Sequence, residues 1–192
     1  MKRSLALARP RYHRLALPPL MLSLSKHARP VALALLLAIP ASFAVAAATP
    51  PRVTATMAAL AQPLPLPYDE TADAAADVAA AKARVAKAHK LLLIDLGGNW
   101  CPDCRVLAGV LALPAVKAFV DRHYAVVSVD IGRRDKNLDI AARYGADVKG
   151  VPAVLIVDPA TDRLKNPGHF AALSDARHMT PQALADWLAG WV

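Results

Sequence analysis

The chain has 192 residues and a formal net charge of +8, but that charge is unevenly placed. Residues 1–48 hold seven Lys or Arg and no acid, whereas residues 49–192 hold sixteen basic and fifteen acidic residues, so the body carries only about +1. The basic balance is therefore no footprint for nucleic acid; it belongs to a targeting segment with a basic n-region.

Residues 1–48 read as a signal peptide. "VALALLLAI" is its apolar core, Pro40 and Ser42 follow, and Ala44-Val45-Ala46 or Ala46-Ala47-Ala48 meets the small-x-small rule, which puts cleavage between 46 and 49. The first twenty residues are long for such a leader. Met21 is the more ordinary start, with Lys26 and Arg29 as n-region. An uncleaved anchor is the alternative, since no charge lies between Arg29 and Arg52; Pro40 and the weakly apolar alanines argue against it. No cysteine follows the core to carry a lipid. After cleavage the protein is expected outside the cytoplasm, periplasmic or otherwise exported, with no stable membrane insertion.

Residues 49–67, with prolines at 50, 51, 63, 65 and 67, read as an extended linker, a spacer without a role of its own. Residues 69–90 turn helical and alanine-rich, with Asp73 and Asp77 early and Lys82, Arg84, Lys87 and Lys90 late, as a helix dipole favours. "LLLID" from Leu91 is a short apolar run suited to a buried strand, and "CRVLAGVLAL" after it is helix-compatible. "YAVVSVDI" reads as a strand, "NLDIAARYG" as a helix closed by Gly145, and "AVLIVD" as a buried strand with "DPATDRL" turning out of it. "TPQALADWLAGWV" gives a last amphipathic helix with Thr180 as N-cap and Pro181 in the first turn. Strand and helix alternate over residues 68–192, which predicts one α/β domain with a two-sided core.

Cys101 and Cys104 are the only cysteines. A closed zinc site needs four ligands, and His89, His123, His169 and His178 are scattered without an H-x3-5-H pair, so no metal is expected. A disulfide across two residues closes too short a loop to constrain the unfolded chain much. Redox chemistry remains. Cys101 falls where a strand hands over to a helix N-terminus, whose unpaired N–H groups and dipole favour a thiolate. Pro102 suits the first turn, Gly97, Gly98 and Asn99 form a turn-prone approach expected to leave the Cys101 sulfur exposed, and Cys104 would lie a turn deeper, shielded.

The W-C-P-D-C motif after a strand, with an acid six positions before the first cysteine, resembles the thioredoxin family; "VKGVPAVLIVD" is similar to that family's segment in which a cis-proline precedes a central strand. The resemblance spans residues 91–192 and implies a thioredoxin-like fold, a central mixed β-sheet flanked by helices. It places Val151 and Pro152 beside the cysteines, with substrate peptides extended along Val151 and Trp100 shaping the contact surface. Cys101 would attack and Cys104 resolve. Asp95 matches the family's buried acid, with a raised pKa, and would accept the Cys104 proton directly or through water. Gly97 departs from the aromatic or bulky residue usual there, which bears on substrate contacts. Trp187 and Trp191 are expected to pack the last helix.

The expected function is an exported thiol–disulfide oxidoreductase that needs no cofactor, acts on protein disulfides and draws electrons from a membrane donor. The alternative is a non-catalytic thioredoxin-like module that binds another envelope protein. A metallochaperone is a poorer third reading, because a proline beside the pair hinders metal capture. Asp103 should oppose the thiolate and Arg105 favour it, leaving a potential nearer the reducing end, about −270 mV for thioredoxin, than the oxidising one. "GRRDKN" reads as a solvated loop in which Arg133 and Arg134 could touch an acidic partner.

Overall fold

The computed structural model describes residues 48–192; the leader and the start at Met21 lie outside the described residues. Among the described residues there are four strands: β1 (Leu91–Gly97), β2 (Tyr124–Asp130), β3 (Ala153–Asp158) and the short β4 (Arg163–Leu164). They form one sheet in the order β2-β1-β3-β4, with β1 and β2 parallel and the other pairs antiparallel. Helices α1 (Ala74–Ala88) and α4 (Leu138–Ala142) cover one face, and α2 (Pro102–Leu111), α3 (Pro114–His123) and α5 (Pro181–Ala189) the other. This is the mixed sheet between helices that the resemblance implied.

The two central strands are apolar except for Asp95 in β1 and Asp158 at the end of β3, because both of their faces are covered. Side chains alternate across the sheet, so Leu92, Ile94 and Leu96 enter the core beneath α1 and α4, while Leu93 enters the core beneath α2, α3 and α5. Asp95 has the same parity as Leu93. A carboxyl is thereby delivered into the face that α2 covers, and α2 carries both cysteines.

Local chemistry sets the ends of the helices. Asp73 accepts the Ala76 N–H at 3.0 Å, which starts α1 at Ala74 and makes it shorter than the helix expected over 69–90. Thr180 caps α5 through the Ala183 N–H at 3.1 Å, with Pro181 next. The helix expected over 104–113 is α2, which ends at Leu111, and Pro114 opens a further helix, α3, over a stretch to which the sequence analysis assigned no element. Where the short β4 ends, the fully buried Asn166 amide takes over as a strand partner, accepting from Ile156 N at 2.9 Å and donating to Val154 O at 2.8 Å.

The proline-rich stretch expected as a spacer is laid on the domain instead. Between its prolines stand Val53, Met57, Leu60 and Leu64, all packed into the α2/α3/α5 core, with Leu60 only 4% exposed. Burying their apolar area holds the stretch against the domain, whatever the local preference of the prolines. Polar contacts fix the course: Val53 N donates to Gln182 Oε1 at 2.7 Å, and the Arg105 guanidinium donates to Leu64 O and Pro65 O at 2.9 and 3.3 Å. The strap ends at Tyr68, whose backbone exchanges two hydrogen bonds with the Asn99 side chain, at 3.2 and 2.8 Å.

Candidate active site

Cys101 is the N-cap of α2, and its sulfur accepts the Cys104 N–H at 3.2 Å. In its thiol form it donates to Val151 O at 3.6 Å, and the Val151–Pro152 peptide is cis. Both cysteines are free thiols. The expected exposure of Cys101 is not what the fold provides: the residue is only 3% exposed, because Tyr68 and Val151 close around it, while Cys104 is fully buried. Trp100 beside them is 40% exposed, donates through its indole to Gly132 O at 2.7 Å, and lies under the Arg133 guanidinium at 4.7 Å. Arg133 is therefore stacked rather than simply solvated, and Arg134 donates to Lys149 O at 2.6 Å.

Asp95 is 1% exposed. Its Oδ2 accepts the Tyr68 hydroxyl at 2.9 Å, and Oδ1 has no partner. Beside it a groove of about 330 Å³ runs past Pro65, Pro67, Ala108, Lys117, Asp121 and Ser128. Tyr68 was not among the expected site residues, and it explains the departure at Gly97. A Cβ at Gly97 would lie 2.5 Å from the Tyr68 hydroxyl and 2.7 Å from Cys104 Sγ. The ring delivered by the strap fills the space a side chain at 97 would need. The available signal was that Tyr68 is the only aromatic residue between Phe43 and Trp100.

These surroundings separate the acidities. Cys101 is lowered to about 7, chiefly by hydrogen bonding with the Cys104 side chain and further by the Cys104 N–H, against the cost of burial. Cys104 is pushed far above its ordinary value by the hydrogen bond with Cys101 and by burial. Asp95 is raised to about 7 by burial, with the Tyr68 hydrogen bond pulling down and the Cys101 charge pushing up. Burial also holds the Tyr68 phenol far above its usual range. Asp103 does raise Cys101, as expected, but only as a minor contribution, and its buried carboxylate accepts Arg177 N at 2.9 Å and pairs with Arg177 Nε at 3.6 Å. The Arg105 guanidinium is engaged by the strap, at Leu64 O and Pro65 O. Among the described residues no group of three or more His, Cys, Asp or Glu is placed to hold a metal ion.

A disulphide isomerase from Xylella fastidiosa Temecula1, solved as a crystal structure, is 37% identical and superposes with a TM-score of 0.62, covering 66% of this chain and 96% of that one. A family model described as thioredoxin-like matches residues 73–159. The chain belongs to the thioredoxin-like family. Thioredoxin-2 of Pyricularia oryzae is 33% identical over 98 residues, 48% of this chain; the chain spans about half, 52%, of that relative's length. Asp95, Trp100, the cysteine pair, Val151 and Pro152 all fall inside the thioredoxin-like match, whereas the strap and Tyr68 precede it.

Proposed function

We propose that this protein is an exported thiol–disulfide oxidoreductase that reduces or exchanges disulfides in envelope proteins through Cys101 and Cys104. The observation that carries the reading is the division of acidity between two thiols on one helical turn: Cys101 lowered to about 7 and Cys104 far higher, with a buried carboxyl behind them. An ionised Cys101 attacks a substrate sulfur, forming a mixed disulfide and expelling the other substrate sulfur as thiolate. Cys104, losing its proton to Asp95, then attacks Cys101 Sγ; the Cys101–substrate bond breaks, the substrate leaves reduced, and the pair is left oxidised. A membrane donor returns the two electrons. The substrate lies extended along Val151, whose backbone pairs with it as an added strand, with the exposed face of Trp100 alongside.

The near-complete burial of Cys101 favours the second reading, a binding module whose cysteines do not turn over. Catalysed reduction of insulin disulfides by the protein with dithiothreitol as donor separates the two. Turnover abolished by Cys101→Ser supports the oxidoreductase, and a rate equal to dithiothreitol alone supports the module.

Export rests on the basic n-region and the apolar core "VALALLLAI". The protein recovered from cells is expected outside the cytoplasm, beginning between residues 47 and 49 on N-terminal sequencing. Intact residues 21–48 in the membrane fraction would contradict cleavage.

A further inference from the structure

We propose that the Tyr68 hydroxyl relays the proton of Cys104 to Asp95 during the resolving step. The inference rests on the thiol–disulfide reading and adds a residue outside the family-matched span. Cys104 is fully buried, so its proton needs an internal acceptor. Among the described residues the one hydrogen bond to the Asp95 carboxylate comes from Tyr68, at 2.9 Å to Oδ2. The same hydroxyl and Cys104 Sγ converge beside Gly97, 2.5 and 2.7 Å from the point where a Cβ would sit, and Tyr68 packs against Cys104. A phenol has one proton to donate and lone pairs to accept with. Here it donates to Asp95, which leaves its lone pairs to accept from the thiol packed beside it.

The step balances without the phenol ever ionising. As the Cys104 S–H proton passes to the Tyr68 oxygen, the phenol's own proton passes to Asp95 Oδ2. The Cys104 electron pair forms the bond to Cys101 Sγ, and the pair of the breaking Cys101–substrate bond leaves on the substrate sulfur, which takes a proton from solvent. Burial keeps the phenol far too weak an acid to hold a lasting negative charge, which suits a relay and not an independent base. Three features of this chain place the hydroxyl: the missing side chain at Gly97, the Asn99 clamp on the Tyr68 backbone, and the Arg105 anchor on the strap.

The test uses the full chain and Tyr68→Phe, which keeps the ring over Gly97 and removes only the hydroxyl. The reduced proteins are mixed with oxidised glutathione, quenched in acid at intervals, and the mixed disulfide is counted by mass spectrometry. The mixed disulfide of Tyr68→Phe is expected to decay about tenfold more slowly at pH 7. The pH midpoint of that decay and the Asp95 carboxyl titration seen by NMR should both move up by about one pH unit, because the ionised carboxylate loses its hydrogen bond. Wild-type decay and an unmoved Asp95 midpoint would overturn the relay while leaving the oxidoreductase reading intact. A wild-type protein that forms no mixed disulfide would overturn both. Should Tyr68→Phe prove unfolded by thermal melting, the proton inventory of the wild-type decay in mixed light and heavy water decides: a curved inventory means two protons move, and a linear one rejects the relay.

Discussion

Cys101→Ser is expected to abolish disulfide exchange, and Cys104→Ser to capture substrates and hold them. A thiol with a pKa of about 7 is about half ionised at neutral pH, and Cys101 is that thiol because Cys104 hydrogen-bonds to its sulfur at the start of α2. Serine at 101 leaves only Cys104, which is fully buried and held protonated, so exchange should fall by about a thousandfold or more. Serine at 104 removes the resolving sulfur while the backbone N–H at 104 still faces Cys101. Because the Cys104 side chain is the largest cause of the lowered Cys101 pKa, capture by this variant should also need a higher pH than in the wild type. Non-reducing gels of cells expressing each variant read the outcome. Mixed disulfides are expected with Cys104→Ser alone, and equal trapping by both variants would reject the assignment of roles.

Asp95→Asn is expected to stabilise the protein at pH 8, destabilise it slightly at pH 5, and slow the resolving step increasingly as pH rises through about 7, where the wild-type carboxyl ionises and becomes a proton acceptor. The Asp95 carboxyl is raised from an unfolded value of 3.8 to about 7 in the fold. Below the unfolded value both states hold the proton and the group costs nothing. Between the two values the unfolded chain ionises while the folded one keeps its proton, so stability falls as pH rises, and above about 7 the full penalty is present. That penalty is about 4 kcal/mol for a shift of this size. Asparagine carries no charge but buries an NH₂ group beside the position where Oδ1 has no partner, at a cost of roughly 1–3 kcal/mol. The net expectation is a gain of about 2 kcal/mol at pH 8 and a loss of about 0.3 kcal/mol at pH 5, where the carboxyl penalty has already fallen to about 1.7 kcal/mol. Cys101 works in the opposite sense, since its lowered pKa adds stability as pH rises from about 7, but both proteins carry it and it largely cancels in the difference. Thermal or urea unfolding of the two proteins across this range checks the sign change; a pH-independent difference would make Asp95 an ordinary structural residue. The loss of the proton acceptor should slow turnover by about a hundredfold at pH 7.

The candidate site was legible where it depends on local sequence. Two cysteines at a strand-to-helix junction with Pro102 in the first turn locate Cys101 and Cys104 without reference to the rest of the chain, and Asp95, the one acid in an apolar run, took its role from the family pattern. Val151 and Pro152 needed the family pattern, because they approach the pair from fifty residues away. What escaped was decided by packing. Prolines at 63, 65 and 67 have the same local preference in a free tether and in a strap, and only the burial of Leu60 and Leu64 separates the two. Tyr68 then reaches Asp95 across 27 residues, into a space that exists because residue 97 is glycine. Arg105 shows the converse. Its position in the sequence next to Cys104 suggested an influence on the sulfurs, yet its length lets it reach the Leu64 and Pro65 carbonyls, where it orders the strap.

The redox equilibrium of the Cys101–Cys104 pair tests the central claim most directly. The full chain is equilibrated in glutathione buffers of graded ratio, quenched, and its free thiols counted by alkylation and mass. A cycling pair takes up two electrons together and titrates reversibly with a midpoint nearer the value of about −270 mV for thioredoxin than the strongly oxidising end of the family range. A pair that stays reduced or stays oxidised in every buffer would contradict thiol–disulfide exchange and leave a thioredoxin-like fold used for binding alone.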